Sequence, residues 1–307
     1  MTTVWVPESA TAANLDLLPS SVDIRRLPSA GADRDRLGDA EFVVADFWRR
    51  GFLDVLGRFD SVKVVQALSA GVEDLVGQMP SDTVLCDAAG VHDIPVAEWV
   101  VMVLLAMYRQ LSMHIRNQAV GHWVSTRPSS GAGDLKGSAV LILGYGSIGR
   151  ALERRLLPFG VDVLRVARME RDGVAPISRL YDLLPLADAV VILLPVTDET
   201  IGLVDRRFLA AMREGALLVN AARGSIVRTD ALLEALAEGH VRAALDVTDP
   251  EPLLTGHPLW AAPNTLITPH IGGTVTKVID RAWALVGRQV RHYLAGEPLE
   301  NVVTDAY

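Results

Sequence analysis

A single cysteine in 307 residues, Cys86, excludes an intramolecular disulfide and a cysteine-rich metal site. Such a lone thiol reads as a small buried hydrophobe. Basic residues are outnumbered: 29 Lys and Arg face 37 Asp and Glu, for a net charge of −8. A nucleic-acid partner needs clustered Lys and Arg, so this balance argues against one. It does not exclude a small anionic substrate, because one local arginine can hold an anion inside an acidic protein. Long hydrophobic runs are also missing. The longest, Trp99 to Tyr108, falls far short of the roughly 18 residues that suggest a membrane span, and reads as a buried helix. The opening Met-Thr-Thr-Val-Trp-Val-Pro-Glu has no basic stretch before an apolar one, so a secretory signal is not expected. No internal repeat or low-complexity stretch stands out. The expectation is a soluble, cytoplasmic protein with no membrane partner and no metal.

Half of the residues are apolar, and the length suits two domains of ordinary size. Short aliphatic runs alternate with amphipathic stretches, the pattern of an α/β protein. The early strand candidates are Thr3–Val6, Phe42–Ala45, Lys63–Ala67 and Thr83–Cys86. After Ser138 the alternation sharpens: strand Ala139–Leu143, helix Ser147–Phe159, then strands Asp162–Val166, Ala189–Leu194 and Ala216–Val219. Helix Thr229–Glu238 and strands Arg242–Leu245 and Thr265–Thr268 follow, with a last helix over about Thr276 to Leu294. Strands covered on both faces read as nearly unbroken aliphatic runs, as these do. Arg127 to Asp134 is a loop by composition.

Between the strand at Ala139–Leu143 and the helix after it lies Gly144-Tyr-Gly-Ser-Ile-Gly149. In that context the glycines allow a tight turn, close approach of a pyrophosphate and close helix–strand packing. The helix start, with the amides of Ser147 and Ile148, offers partial positive charge to phosphates. An NAD site places an acid about 20 residues on, at the end of the second strand. Here Ala167 stands there, followed by Arg168 and Arg171. A guanidinium can pair with a 2′-phosphate. This favours NADP(H) and keeps NAD(H) open, with Glu170 and Asp172 weakening the local positive field.

Three further segments are Asn220-Ala-Ala-Arg-Gly-Ser225, Leu245-Asp-Val-Thr-Asp-Pro-Glu-Pro252 and Ile267-Thr-Pro-His-Ile-Gly-Gly273. Together with the glycine turn they resemble the D-isomer-specific 2-hydroxyacid dehydrogenase family, from about Val62 to Val303, in its glyoxylate/hydroxypyruvate reductase-like branch. The resemblance implies two doubly wound parallel-sheet domains. One is a Rossmann dinucleotide-binding domain over 99–274. The other is a flavodoxin-like substrate domain built from both chain ends, 1–98 and 275–307. It implies that Arg223 clamps the substrate carboxylate and polarises its carbonyl, a task suited to a planar fork that stays charged. It makes His270 the proton donor and acceptor and Glu251 its partner, since histidine titrates near neutrality and a carboxylate favours the imidazolium and orients it. Asp246 is expected at the nicotinamide carboxamide. Ala70 and Gly71, in Leu68-Ser-Ala-Gly-Val-Glu73, are expected to present amides to the substrate carboxylate, as tight glycine turns do for anions. The other histidines, His92, His114, His122, His240, His257 and His292, read as surface, capping or packing residues.

Two departures stand out. Glu73 replaces the usual Asp, and Asp87-Ala-Ala-Gly90 replaces the commoner Asn-x-Pro-Gly in a loop that lies near substrate in relatives. Substrate identity therefore stays open beyond a small 2-keto acid. Formate dehydrogenases share the scaffold with a Gln–His pair, which Glu251 argues against. Phosphite dehydrogenases keep Arg, Glu and His and are not excluded. Dinucleotide-sensing corepressors keep the triad and carry added tails, whereas here little follows Asn301–Val303. The resemblance also implies a homodimer through the dinucleotide domain, with the apolar helix Pro95–Leu111 and the Trp123 segment as interface candidates.

Overall fold

The computed structural model describes residues 1–28, 36–47, 51–125 and 131–304. Part of the expected loop at Arg127–Asp134 lies outside them. The strands are β1 Thr3–Val6, β2 Asp23–Arg26, β3 Gly38–Ala45, β4 Phe59–Ala67, β5 Val84–Cys86, β6 Ala139–Leu143, β7 Asp162–Ala167, β8 Ala175–Pro176, β9 Ala189–Ile192, β10 Ala216–Asn220, β11 Val241–Leu245 and β12 Thr265–Ile267. The α-helices are α1 Ala12–Leu15, α2 Phe52–Leu56, α3 Asp93–Tyr108, α4 Leu111–Ala119, α5 Ser147–Leu156, α6 Leu180–Leu183, α7 Arg206–Ala211, α8 Thr229–Ala237 and α9 Lys277–Ala295.

The chain divides into two compact units, Met1–His92 with Val275–Tyr307 and Asp93–Thr274. The first division falls before Asp93 and not after Glu98. The physical reason is that α3 runs unbroken through Glu98, and the core of the second unit already takes in Ala97 and Trp99.

In the first unit five parallel strands lie in the order β2-β1-β3-β4-β5. This is the flavodoxin-like order. Alternate residues of each strand point to opposite faces. Val4, Val6, Phe42, Val44 and Val64 meet Ala282, Trp283, Val286 and Val290 of α9 on one face. Trp5, Val43, Val62 and Val65 meet Phe52, Val55 and Leu56 of α2 on the other. Helix α9, late in the chain, thus supplies half of the core of a sheet formed early. Burying one such large apolar side chain contributes roughly 1.5–3 kcal/mol.

In the second unit the order is β12-β11-β10-β9-β6-β7-β8, parallel throughout. The winding starts at β6, runs out to β8, then returns to β9 beside β6. That reversal is the switch point at which doubly wound sheets bind ligands, outside the strand C-termini. Val140 and Ile142 of β6 face α3 and α5, while Leu141 and Leu143 face α6, α7 and α8.

Helix α3 holds Val100, Val101 and Val103, which cost helix propensity, yet nearly its whole surface is apolar and Val100, Val103 and Leu104 are fully buried. Burial overrides the propensity. The expected single helix Pro95–Leu111 is not formed. Helix α3 ends at Tyr108, Gln110 takes a left-handed φ of 53°, and α4 leaves at 71°. Among the described residues no single helix is long and apolar enough to cross a membrane.

Candidate active site

The turn from β6 into α5 shows why three glycines are spaced as they are. Gly144 has φ 102°, and a Cβ there would stand 2.6 Å from the Leu193 backbone. Only glycine fits that tight turn. At Gly149 a Cβ would press to 3.2 Å on the Gly144 carbonyl oxygen and Ile142 Cγ2, so its absence lets α5 lie close on β6. At Gly146 a Cβ would meet nothing within 4 Å. That glycine borders open space, the room a pyrophosphate needs to reach the backbone. Ser147 and Ile148 open α5 just beyond, with their amides ahead of the first helical bond, Arg150 N–H to Gly146 O at 3.1 Å. These residues fit a dinucleotide.

Tyr145, inside the turn, is held on several sides. Its hydroxyl donates to Glu153, whose other oxygen takes Arg165 Nε at 2.9 Å and Nη2 as well. The hydrogen bond from Arg165 pulls the Glu153 carboxyl below its usual range, although burial opposes this. Burial, reinforced by Glu153, pushes the Tyr145 phenol up. Arg165 and Arg171 stand 5.8 Å and 5.9 Å from the Tyr145 ring centre, and Arg171 Nη2 donates to the Tyr145 carbonyl. Arg168 lies exposed just after β7, where Ala167 ends the strand. Arg171, which sequence reasoning noted without assigning it a site, is thereby joined directly to the glycine turn.

The other candidate side chains of this unit stand after three adjacent strands. Arg223 follows β10, Asp246 and Glu251 follow β11, and His270 follows β12. Asn220, fully buried at the end of β10, folds the Arg223 loop. Its amide donates to the Arg223 carbonyl at 2.9 Å, and its oxygen accepts from Ala222 N–H at 3.1 Å. At Gly224 a Cβ would fall 2.0 Å from the Thr248 carbonyl oxygen, so the Arg223 loop lies directly against the segment that leads to Glu251. Arg223 itself is half-buried, with Nη1 donating to the Ala222 carbonyl at 2.8 Å.

Asp246 is buried at 4% exposure. Its carboxylate accepts from the Thr268 hydroxyl at 2.5 Å, Ile271 N–H at 2.9 Å and Gly272 N–H at 2.7 Å. Its carbonyl accepts His270 N–H at 2.7 Å. Asp246 therefore builds the turn that carries His270, a residue held at a left-handed φ of 55°. A carboxylate offers about four acceptor positions, so about one is left for a ligand amide. Trp99 of α3 steadies the same turn through Thr268 at 3.1 Å.

His270 Nδ1 and Glu251 Oε1 are 2.6 Å apart, and both side chains are substantially exposed. A carboxylate only accepts, so Nδ1 carries the proton of this contact. Ala70 and Gly71 belong to the first unit, in the loop after β4. There the Ser69 hydroxyl donates to the Gly71 carbonyl at 2.9 Å. Cys86 is fully buried, and burial pushes its thiol up to about 12, which leaves it inert. His257 caps a short turn, its Nδ1 accepting Leu259 N–H at 3.2 Å.

A parallel sheet with a reversal point, a glycine turn beside it and an arginine and an acid–histidine pair at the same strand ends define a dinucleotide-dependent enzyme of α/β type. The family model of the D-isomer specific 2-hydroxyacid dehydrogenase NAD binding domain matches residues 101–272. The chain belongs to that family. It is 34% identical to the human glyoxylate reductase/hydroxypyruvate reductase, over 84% of this chain and 81% of that one. It is 32% identical to the D-3-phosphoglycerate dehydrogenase of Mycobacterium tuberculosis, over 98% of this chain but 58% of that one. Among solved structures, the NADPH-dependent glyoxylate/hydroxypyruvate reductase of Sinorhizobium meliloti, in complex with NADP and sulfate, superposes with a TM-score of 0.85. It is 26% identical and covers 99% of this chain and 98% of that one. The family makes this protein an oxidoreductase that uses a nicotinamide dinucleotide and acts on small hydroxy or keto acids.

Proposed function

We propose that the protein reduces a small 2-keto acid, of the glyoxylate or hydroxypyruvate kind, to the D-2-hydroxy acid, with NADPH preferred over NADH. The observation that carries this reading is the 2.6 Å His270–Glu251 pair, formed by residues that follow β12 and β11, next in the sheet to β10, which Arg223 follows. Arg223 binds the carboxylate and polarises the C2 carbonyl. His270 gives the Nε2 proton to the carbonyl oxygen while Glu251 stabilises the imidazolium. A bound reduced nicotinamide supplies the hydride to C2. Asp246 would offer its remaining acceptor position to the carboxamide. Gly144, Gly146, Ser147, Ile148 and Gly149 would hold the pyrophosphate. Ala70 and Gly71 keep the family's role of presenting amides to a carboxylate.

Preference for NADPH is supported by Ala167 where an acid is expected, by exposed Arg168, and by Arg171 at the turn. The proposed assembly is a homodimer through the second unit. Trp123 is 92% exposed and Val120 77%, and Met102 of α3 and Ile115 of α4 are exposed as well. Large apolar side chains left in water, where they gather into a patch, mark an association site.

Nicotinamide absorbance followed with purified protein tests the reaction. The substrates are glyoxylate, hydroxypyruvate, pyruvate and phenylpyruvate, each with NADPH and NADH. Oxidation of NADPH by one keto acid is the expected result. Clear dinucleotide binding with no turnover of any of them overturns the keto-acid assignment and turns the test to phosphite, or to a dinucleotide sensor.

A further inference from the structure

Ser147 opens α5, and its hydroxyl donates to Asp93 Oδ1 at 2.9 Å. Asp93 is the first residue of α3, 54 positions earlier, and α3 lies packed along α5. A hydroxyl has one proton to give, and a carboxylate only accepts. While this contact stands, the Ser147 hydroxyl shows an incoming phosphate nothing but lone pairs. The same carboxylate also places negative charge beside the end of α5 whose amides of Ser147, Ile148 and Gly149 precede the first helical bond. A negative group at that position satisfies the helix dipole in the way an anionic ligand does.

We propose that Asp93 is a resident counter-anion of the glycine turn that sets how tightly a dinucleotide is held. It competes with the pyrophosphate for the positive end of α5 and ties up the Ser147 proton, which keeps binding weak enough for the dinucleotide to leave. This rests on the reading of Gly144–Gly149 as the dinucleotide site. A tether that only supports the fold acts in the opposite direction: cutting it loosens the turn and weakens binding.

The experiment is fluorescence titration of the full chain with NADPH and NADH, using wild type, Asp93→Asn, Asp93→Ala, Ser147→Ala and the Asp93→Ala/Ser147→Ala double variant. Thermal unfolding of each variant reports folding separately. Removing one nearby charge at a partly exposed site shifts affinity by about threefold to tenfold. Asp93→Asn and Asp93→Ala should therefore tighten both dinucleotides by about that factor, less so at high salt. Ser147→Ala alone should bring no such gain, because the Asp93 charge stays beside the turn. The double variant should lose part of the Asp93→Ala gain, since no freed hydroxyl remains to donate. Equal or weaker binding in folded Asp93→Asn and Asp93→Ala overturns the inference. So does a full gain in the double variant. If wild type binds neither dinucleotide, the reading of the turn itself fails, and this inference fails with it.

Discussion

Gln66 and Gln289, 223 positions apart in the chain, share a hydrogen bond of 2.7 Å in the fully buried core of the first unit. Gln66 also donates to the carbonyls of Ala67 and Asp87, both at 2.8 Å. Gln289 donates to the Glu300 carbonyl and accepts its N–H, each at 2.8 Å. The pair joins β4, the segment after β5, α9 and the chain that follows it, so a domain made from two distant stretches is pinned at one polar point. Buried amides with their partners in place add specificity. With a partner missing they are costly.

Gln289→Leu should therefore destabilise the protein by more than its small change in volume suggests. It strands the Gln66 oxygen and both backbone groups of Glu300, and each unmet buried group costs about 1–3 kcal/mol. Urea unfolding should show a lower midpoint with secondary structure retained before the transition. A midpoint equal to wild type would mean that water replaces the lost partners.

Much of this architecture was legible from residue pattern. Runs such as Ala139–Leu143 are apolar at every position because both faces are covered, and they announce themselves. Strand β2 does not: Asp-Ile-Arg-Arg at the sheet edge leaves Ile24 as its one apolar residue, itself exposed. The break between α3 and α4 was equally hidden, since Arg109 and Gln110 carry neither glycine nor proline to mark it. At the candidate site, Arg223, Glu251 and His270 stand in compact sequence segments. The contacts of Arg171 with the Tyr145 carbonyl and of Asp93 with Ser147 span 26 and 54 positions, and no local spacing encodes them.

The proposed proton transfer isolates one side chain. His270→Ala should lower kcat by roughly a hundredfold to ten-thousandfold, the range for loss of a general acid. Dinucleotide affinity should hold, because the turn at Gly144–Gly149 does not depend on the imidazole. Glu251→Gln, which keeps the shape and removes the charge that stabilises the imidazolium, should cost less. Near-normal kcat in His270→Ala would remove the residue from the chemistry.

For Arg223 the informative change is conservative. Lys keeps the charge but cannot reproduce a planar fork able to reach two oxygens. Arg223→Lys should raise KM for the keto acid and lower kcat while the Kd for NADPH stays near wild type. The Asn220 contacts that shape this loop use backbone groups and survive the substitution. Parallel losses of keto-acid and dinucleotide binding would place Arg223 somewhere other than the substrate carboxylate.

Cofactor choice should divide between two arginines in different ways. Arg168 is exposed one position past Ala167, where an acid is expected, whereas Arg171 braces the turn through the Tyr145 carbonyl. Arg168→Ala should therefore weaken NADPH and leave NADH nearly unchanged. Arg171→Ala should weaken both, NADPH more, because a 2′-phosphate loses a charge partner while every dinucleotide loses part of the turn's support. Losing one charge-assisted contact of about 1.5–3 kcal/mol corresponds to roughly tenfold or more in Kd. Titration of both cofactors against both variants checks this. An unchanged NADPH/NADH ratio in each would mean that neither guanidinium meets the 2′-phosphate, and the preference for NADPH would lose its physical basis.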